Sequence, residues 1–292
     1  MKGFFESYIC FLLIFAGLVP QSIHKAWAAQ EYVATYDVYA SGFHALDATL
    51  TITRQDNGAY IVDLTSATHG LLGSLAPWEG RFTTHGWKSK DGQFHPREHI
   101  TSSTWKKETE IKSYTYDKNG NFKGLKVEEG GKDKTPDDLD LSLTIGTKDI
   151  LSATLGMMEN LKTTKTCASK DLIFDGDRNF YLLFSGSTTE NMSKTKYNIF
   201  DGTAITCTVE VKPEKGKWRK KPRGWLSIQE QGRQLGALPK VWFGEAGGAK
   251  APFIPVKIQV KTDYGVLFMH LTSYKERQIN AGKLTKLPKK GK

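Results

Sequence analysis

Between Glu31 and Thr68 apolar and polar residues alternate with a period of two, and the pattern restarts behind one turn signal after another. Tyr32, Ala34, Tyr36 and Val38 point one way, and Leu46, Ala48, Leu50 and Ile52 repeat the pattern after Gly42. Asp56-Asn57-Gly58 is a hairpin signal, from which Tyr60, Val62 and Leu64 return. A period of two gives one face to a core and the other to water, so this first third reads as antiparallel sheet. The same rhythm continues. Trp78 to Trp87 and Phe94 to Thr104 flank Lys90-Asp91-Gly92, and Glu108 to Tyr116 and Phe122 to Glu128 flank Lys118-Asn119-Gly120.

Three stretches interrupt the strands. His69 to Ala76 is apolar and glycine-broken, a loop over the core or a short helical turn, and Gly130 to Leu141 is a polar loop. Asp149 can cap a helix over 149–161, in which Ile150, Leu151, Leu155, Met158 and Leu161 recur at helical spacing. Beyond it, Trp225 to Gln229, Lys240 to Phe243, Phe253 to Lys261 and Val266 to Tyr274 read as the last strands. These signals add up to about thirteen strands and one helix, an all-β domain over 29–275 whose helix plugs an open face of a curled sheet. From Glu276 the tail to Lys292 is basic and poor in aromatics, and reads as disordered.

The start of the chain carries an address. Lys2 precedes an apolar run from Tyr8 to Val19 that holds Gly17 near its end, and Pro20 and the small-x-small triplet Ala26-Trp27-Ala28 come after it, which reads as a signal peptide cut after Ala28 or Ala29. Cys10 lies inside the apolar run, so it leaves with the signal and anchors no lipid. Cys167 and Cys207 remain of the three cysteines, and in an oxidising compartment they are expected to pair. Closing a loop of about 40 residues stabilises by roughly 4 kcal/mol in the chain-entropy model. Between them Phe174-Asp175-Gly176 and Phe200-Asp201-Gly202 repeat, each Asp-Gly read as a turn. The stretch is therefore expected as a four-strand meander tied at its outer strands, in preference to one long hairpin centred near Ser187.

Chemistry finds little purchase. His95-Pro96-Arg97-Glu98-His99 matches H-x-x-E-H, but zinc hydrolysis needs both histidines on one helix face. On a strand they would share a face about 13 Å apart, so no metal site is expected. No G-x-S-x-G elbow and no phosphate-binding glycine loop occurs, so no catalytic residue and no cofactor is assigned. Asp137, Asp138 and Asp140 read as turn and cap formers. The formal net charge of +10 and the basic loop Lys217, Trp218, Arg219, Lys220, Lys221 and Arg223 point to anionic envelope surfaces, not nucleic acid.

Several of these segments resemble one family. Asp149-Ile150-Leu151-Ser152, Cys167 to Arg178, Gly202-Thr203-Ala204 to Cys207, Val241-Trp242-Phe243, Ile254 to Ile258 and Gly265-Val266 follow in the order seen in the bacterial exported proteins grouped as domain of unknown function 3108. The resemblance implies a Gram-negative periplasmic protein with a half-open or spiral β-barrel, and no established reaction. The first reading is thus a non-enzymatic envelope protein with a concave groove lined by Tyr36, Phe82, Trp87, Trp242 and Phe253. Its ligand or partner would be a lipid, lipopolysaccharide or an envelope protein, with peripheral membrane contact. A hydrolase of envelope glycan or peptidoglycan and a purely structural scaffold are the alternatives.

Overall fold

The computed structural model describes residues 28–218, 220, 225–247, 251–263 and 265–280. Its strands are β1 (Ala28–Ala40), β2 (Phe43–Gln55), β3 (Ala59–Thr68), β4 (Trp78–Lys88), β5 (Phe94–Trp105), β6 (Glu108–Tyr116), β7 (Phe122–Glu129), β8 (Lys132–Asp133), β9 (Ser169–Phe174), β10 (Arg178–Met192), β11 (Gly202–Gly216), β12 (Lys240–Glu245), β13 (Phe253–Thr262) and β14 (Gly265–Asn280). The helices are α1 (Gly70–Leu75), α2 (Ile150–Thr164) and α3 (Trp225–Gln234). All 14 strands form one antiparallel sheet in the order β8-β7-β6-β5-β4-β3-β2-β1-β14-β13-β12-β11-β10-β9. Two meanders, β1 to β8 and β9 to β14, are joined where β1 pairs with β14 from Ala28↔Asn280 to Ala40↔Leu267. The alternation read from sequence is the burial pattern seen: Tyr32, Ala34, Tyr36 and Val38 are all buried.

The sheet curls without closing. Its outer strands β8 and β9 do not pair with each other; the two ends meet through side chains. Tyr114 and Tyr116 of β6 pack with Phe174 of β9 and with Leu143, and the Tyr114 hydroxyl donates to the Asp175 carbonyl at 2.8 Å. A single parallel bridge, Lys148↔Ile173, adds backbone contact at this seam.

Two expectations are corrected here. The stretch from Trp225 to Gln229 is helix, not strand. A short apolar run cannot declare its period by itself, and the deciding contact is tertiary: the buried Gln229 carboxamide accepts from the Val211 N–H at 2.6 Å and donates to the Val211 carbonyl at 2.9 Å. Gly236, at φ 71°, then ends the helix in the left-handed region. The tail is ordered further than expected, because Glu276 to Asn280 continue β14 against β1; residues 281–292 lie outside the described residues, as do residues 1–27 of the stretch read as a signal peptide over 1–28.

Helix α2 plugs the curl as expected and runs on to Thr164. Leu151, Leu155, Met157, Met158 and Leu161 are buried in the core. Its start is fixed by Asp149, whose carboxylate accepts from the N–H groups of Leu151 and Ser152, both at 3.0 Å. The Thr84 hydroxyl of β4 donates to the same carboxylate at 2.6 Å, and the Ser152 hydroxyl is the fourth donor. Ser152 Oγ meets the Tyr60 hydroxyl at 2.6 Å, and Thr84 Oγ1 meets His99 Nδ1 at 2.8 Å. With the Thr84 proton given to Asp149, its oxygen accepts, so Nδ1 of a neutral His99 carries the hydrogen. Burial lowers the His99 pKa, against the opposing pull of Asp149. Gly86 makes room for this chain: a Cβ there would stand 2.4 Å from the Tyr60 hydroxyl.

Cys167 and Cys207 are bonded, with Cα atoms 5.6 Å apart. The meander they tie has three strands, not four: Cys167 precedes β9, and the bridge crosses β10 to reach β11. Ser187 is not a hairpin centre but part of a bulge between Ser185 and Thr188, where its hydroxyl accepts from the Cys167 N–H at 2.6 Å. Asp175-Gly176 is the β9–β10 turn, with Asp175 accepting from the Arg178 N–H at 3.2 Å and Nε at 2.8 Å. Asp201-Gly202 is no hairpin turn. It opens β11, and the reversal is made earlier, where the Thr195 N–H donates to the Asn198 carbonyl at 2.9 Å.

Two outcomes follow. Replacing both cysteines by serine is predicted to cost about 4 kcal/mol in urea unfolding while leaving the far-ultraviolet β signal intact; an unchanged midpoint would refute the staple. Asp149→Ala removes a cap and strands buried hydroxyls, and is predicted to cost about 3 kcal/mol. Because the folded-state pKa of His99 is lowered, the unfolded chain binds more protons, so the His99 share of stability is full above about pH 6.5 and lost as pH falls below it. His99→Gln should flatten that slope in unfolding series across acidic pH.

Candidate functional site

The inner face of the curl leaves a cavity of about 300 Å³ above α2. Tyr36 and Leu50, Val62 and Leu64, and Phe82 form one wall, on β1 to β4. Met269 on β14 and Ile258 and Pro255 on β13 continue this wall past β1, and Ile150, Leu151, Thr154 and Met158 form the floor. Strand alternation explains the composition, since the inward positions of neighbouring strands are the apolar ones. The Thr154 hydroxyl is used within its own helix, donating to the Ile150 carbonyl at 2.8 Å. The Tyr36 hydroxyl is buried without a hydrogen-bond partner, and burial raises its pKa. A space of this size and lining, at the small end of the roughly 300–1,000 Å³ range of ligand pockets, suits a hydrocarbon chain.

Of the five aromatics expected to line a groove, Tyr36 and Phe82 meet in this wall. The other three do not. Trp87 stands an odd number of residues from Phe82 and faces the other side of β4, stacked on His95 with centroids 5.4 Å apart. Trp242 donates from Nε1 to Glu190 at 2.6 Å under Lys257, and Phe253 is buried beneath Lys165, 4.3 Å from its ring centroid. The aliphatic lining was legible as alternation but not as a pocket, because nothing local says where two distant meanders meet.

The remaining polar groups divide into local devices. His95 and His99 do not share a face of β5: a bulge at Arg97, between the pairs His85↔Glu98 and Gly86↔Pro96, turns His99 into the core and leaves His95 half-exposed. His95 Nε2 lies 3.1 Å from Ser89 Oγ, but the Ser89 proton goes to Asp91, the reverse of an activated serine. That bond, first among its causes, holds Asp91 below the usual carboxylate range. Among the described residues one group of three could hold a metal: His44, Asp47 and His69, whose donor atoms lie within 4.8 Å of one another. Here Asp47 bridges two stacked imidazoles, 2.9 Å from His44 Nε2 and 2.7 Å from His69 Nδ1, with ring centroids 3.7 Å apart. Such near-parallel rings do not converge on a common point in both ring planes, as metal ligation prefers.

In the basic loop, Lys217 and Lys220 are exposed, whereas Trp218 is half-buried. Its Nε1 donates to the Lys215 carbonyl at 3.1 Å, and the Arg178 guanidinium lies 4.3 Å from its ring centroid. Arg219, Lys221 and Arg223 lie outside the described residues.

Comparison with curated proteins finds no match. Among solved structures, the chain is similar to a β-barrel-like protein of domain of unknown function DUF1849 from Brucella abortus, at 9% identity and a TM-score of 0.43, covering 86% of this chain and 98% of that one. Residues 35–272 match the family model described as protein of unknown function (DUF3108), and the chain belongs to that family.

Proposed function

We propose that this protein is exported to the periplasm and there binds, without catalysing a reaction, the hydrocarbon part of a lipid-like ligand. The observation that carries the reading is the apolar cavity above α2, whose wall offers a ligand almost nothing but carbon. Binding there would be driven by removal of apolar surface from water, at about 25 cal/mol per Å². Two features support export. The disulfide belongs to an oxidising compartment. A cut after Ala28 would leave Ala29, itself buried and paired with Ile279, as the first residue of the central strand β1.

The reading predicts that the mature protein binds an environment-sensitive fluorescent fatty acid, and that filling the cavity abolishes this. Thr154→Phe places a ring on the floor without touching the Asp149 cap, and is expected to weaken the fatty acid at least about tenfold while the unfolding midpoint stays near wild type. Absence of binding by the wild type, or equal binding by Thr154→Phe, would sink it. Mass spectrometry of lipids extracted from protein purified out of its native envelope then identifies the natural ligand.

A further inference from the structure

Antiparallel neighbours place chain reversals alternately on the two edges of a sheet, and the two edges here differ in chemistry. One edge holds the β2–β3, β4–β5 and β6–β7 reversals, built on Asp56-Asn57-Gly58, Ser89 to Gln93 and Asp117 to Asn121. These are the polar turn residues expected of exposed hairpins. The other edge holds the β1–β2 turn, α1 between β3 and β4, and the β5–β6 turn, as the pairs Ala40↔Phe43, Leu46↔Thr68 and Trp78↔Trp105 require. There the tips are apolar: Phe43 is 76% exposed, Leu71 75%, Leu75 70% and Trp105 51%. Helix α1 buries none of its residues. Exposed apolar side chains are not confined to this edge, since Ile145, 75% exposed, lies beside the Asp117 to Asn121 turn, but here they recur on three successive reversals.

The cavity lies near mid-height of the strands: Phe82 and Met269 stand on the halves next to this edge, and Leu50, Val62 and Pro255 on the far halves. We propose that this edge is a membrane-docking rim: Phe43, Leu71, Leu75 and Trp105 enter the surface of a phospholipid bilayer and bring the cavity to the hydrocarbon. The proposal rests on the reading of the cavity as a hydrocarbon site. The occupant is a bilayer rather than a shaped partner because the tips project from separate reversals instead of forming one continuous face. Trp105 carries a second argument. It is followed by exposed Lys106 and Lys107, and a tryptophan beside lysines suits the headgroup level of an anionic membrane.

The test is flotation of the mature, disulfide-bonded protein with vesicles of phosphatidylethanolamine and phosphatidylglycerol, run beside fatty-acid binding in solution. Wild type is expected to float with the vesicles. Leu71→Asp/Leu75→Asp and, separately, Phe43→Ser/Trp105→Ser are expected to partition at least about tenfold more weakly, yet bind the fluorescent fatty acid as wild type does. Thr154→Phe should do the reverse, floating normally without binding the probe. The rim is overturned if wild type fails to float, or if the rim variants float as well as it does. It is overturned equally if the rim substitutions only convert a dimer to a monomer in size-exclusion chromatography and leave flotation unchanged. Failure of fatty-acid binding with flotation intact removes the cavity reading alone.

Discussion

A single buried carboxylate holds the plug of this curled sheet in place. Asp149 is almost wholly excluded from solvent and satisfies its charge with four donors, two from the first turn of α2 and two hydroxyls. Through Thr84 and His99 the network reaches β4 and β5, and through Ser152 and Tyr60 it reaches β3. The far end of the helix is tied on both sides. Glu159 meets Arg54 at 2.9 Å and Lys88 at 2.6 Å, and Lys162 donates to the Ala251 carbonyl at 2.7 Å. Burial pushes the Glu159 pKa up, but the Arg54 and Lys88 cations outweigh it and the net shift is downward. The helix thus spans both meanders, and the cavity floor exists because the helix cannot sink or rotate.

The same logic places the disulfide. The sheet is held at its middle by the pairing of β1 with β14, a contact between chain ends that carries a large loop-closure cost. Its weak point is the other end, where β9 is an outer strand and meets β6 and β7 chiefly through side chains. An unpaired edge of this kind frays or recruits other chains. The bond from Cys167, just before β9, to Cys207 in β11 crosses one strand and ties the start of that outer strand back into the sheet.

What could be read from the sequence was what is decided locally. The alternation through β1 to β3, the hairpin at Asn57-Gly58 and the Asp149 cap each depend on neighbours in the chain, and each is where the residues placed it. The failures lie where distant contacts decide. Gln229 makes α3 helical by bonding Val211, and the Arg97 bulge separates two histidines that even spacing would have put together. Asp201-Gly202 resembles a turn but opens a strand, because Asn198 has already reversed the chain and anchors the loop through its donation to the Val256 carbonyl at 2.8 Å. The cavity belongs to the same class, since its walls come from both meanders.

The distribution of polar groups bears on what kind of site this is. A catalytic centre needs donors or acceptors that remain free to meet a substrate, usually beside charge that shifts their titration. Around α2 the hydroxyls of Tyr60, Thr84, Ser152 and Thr154, the imidazole of His99 and the carboxylate of Asp149 are all engaged with one another or with the helix backbone. They hold the floor in place instead of reaching into the cavity. The Tyr36 hydroxyl is buried without a partner, and burial raises its pKa. The cavity is therefore lined almost wholly by carbon, over a helix whose polar groups are spent on fixing it in place.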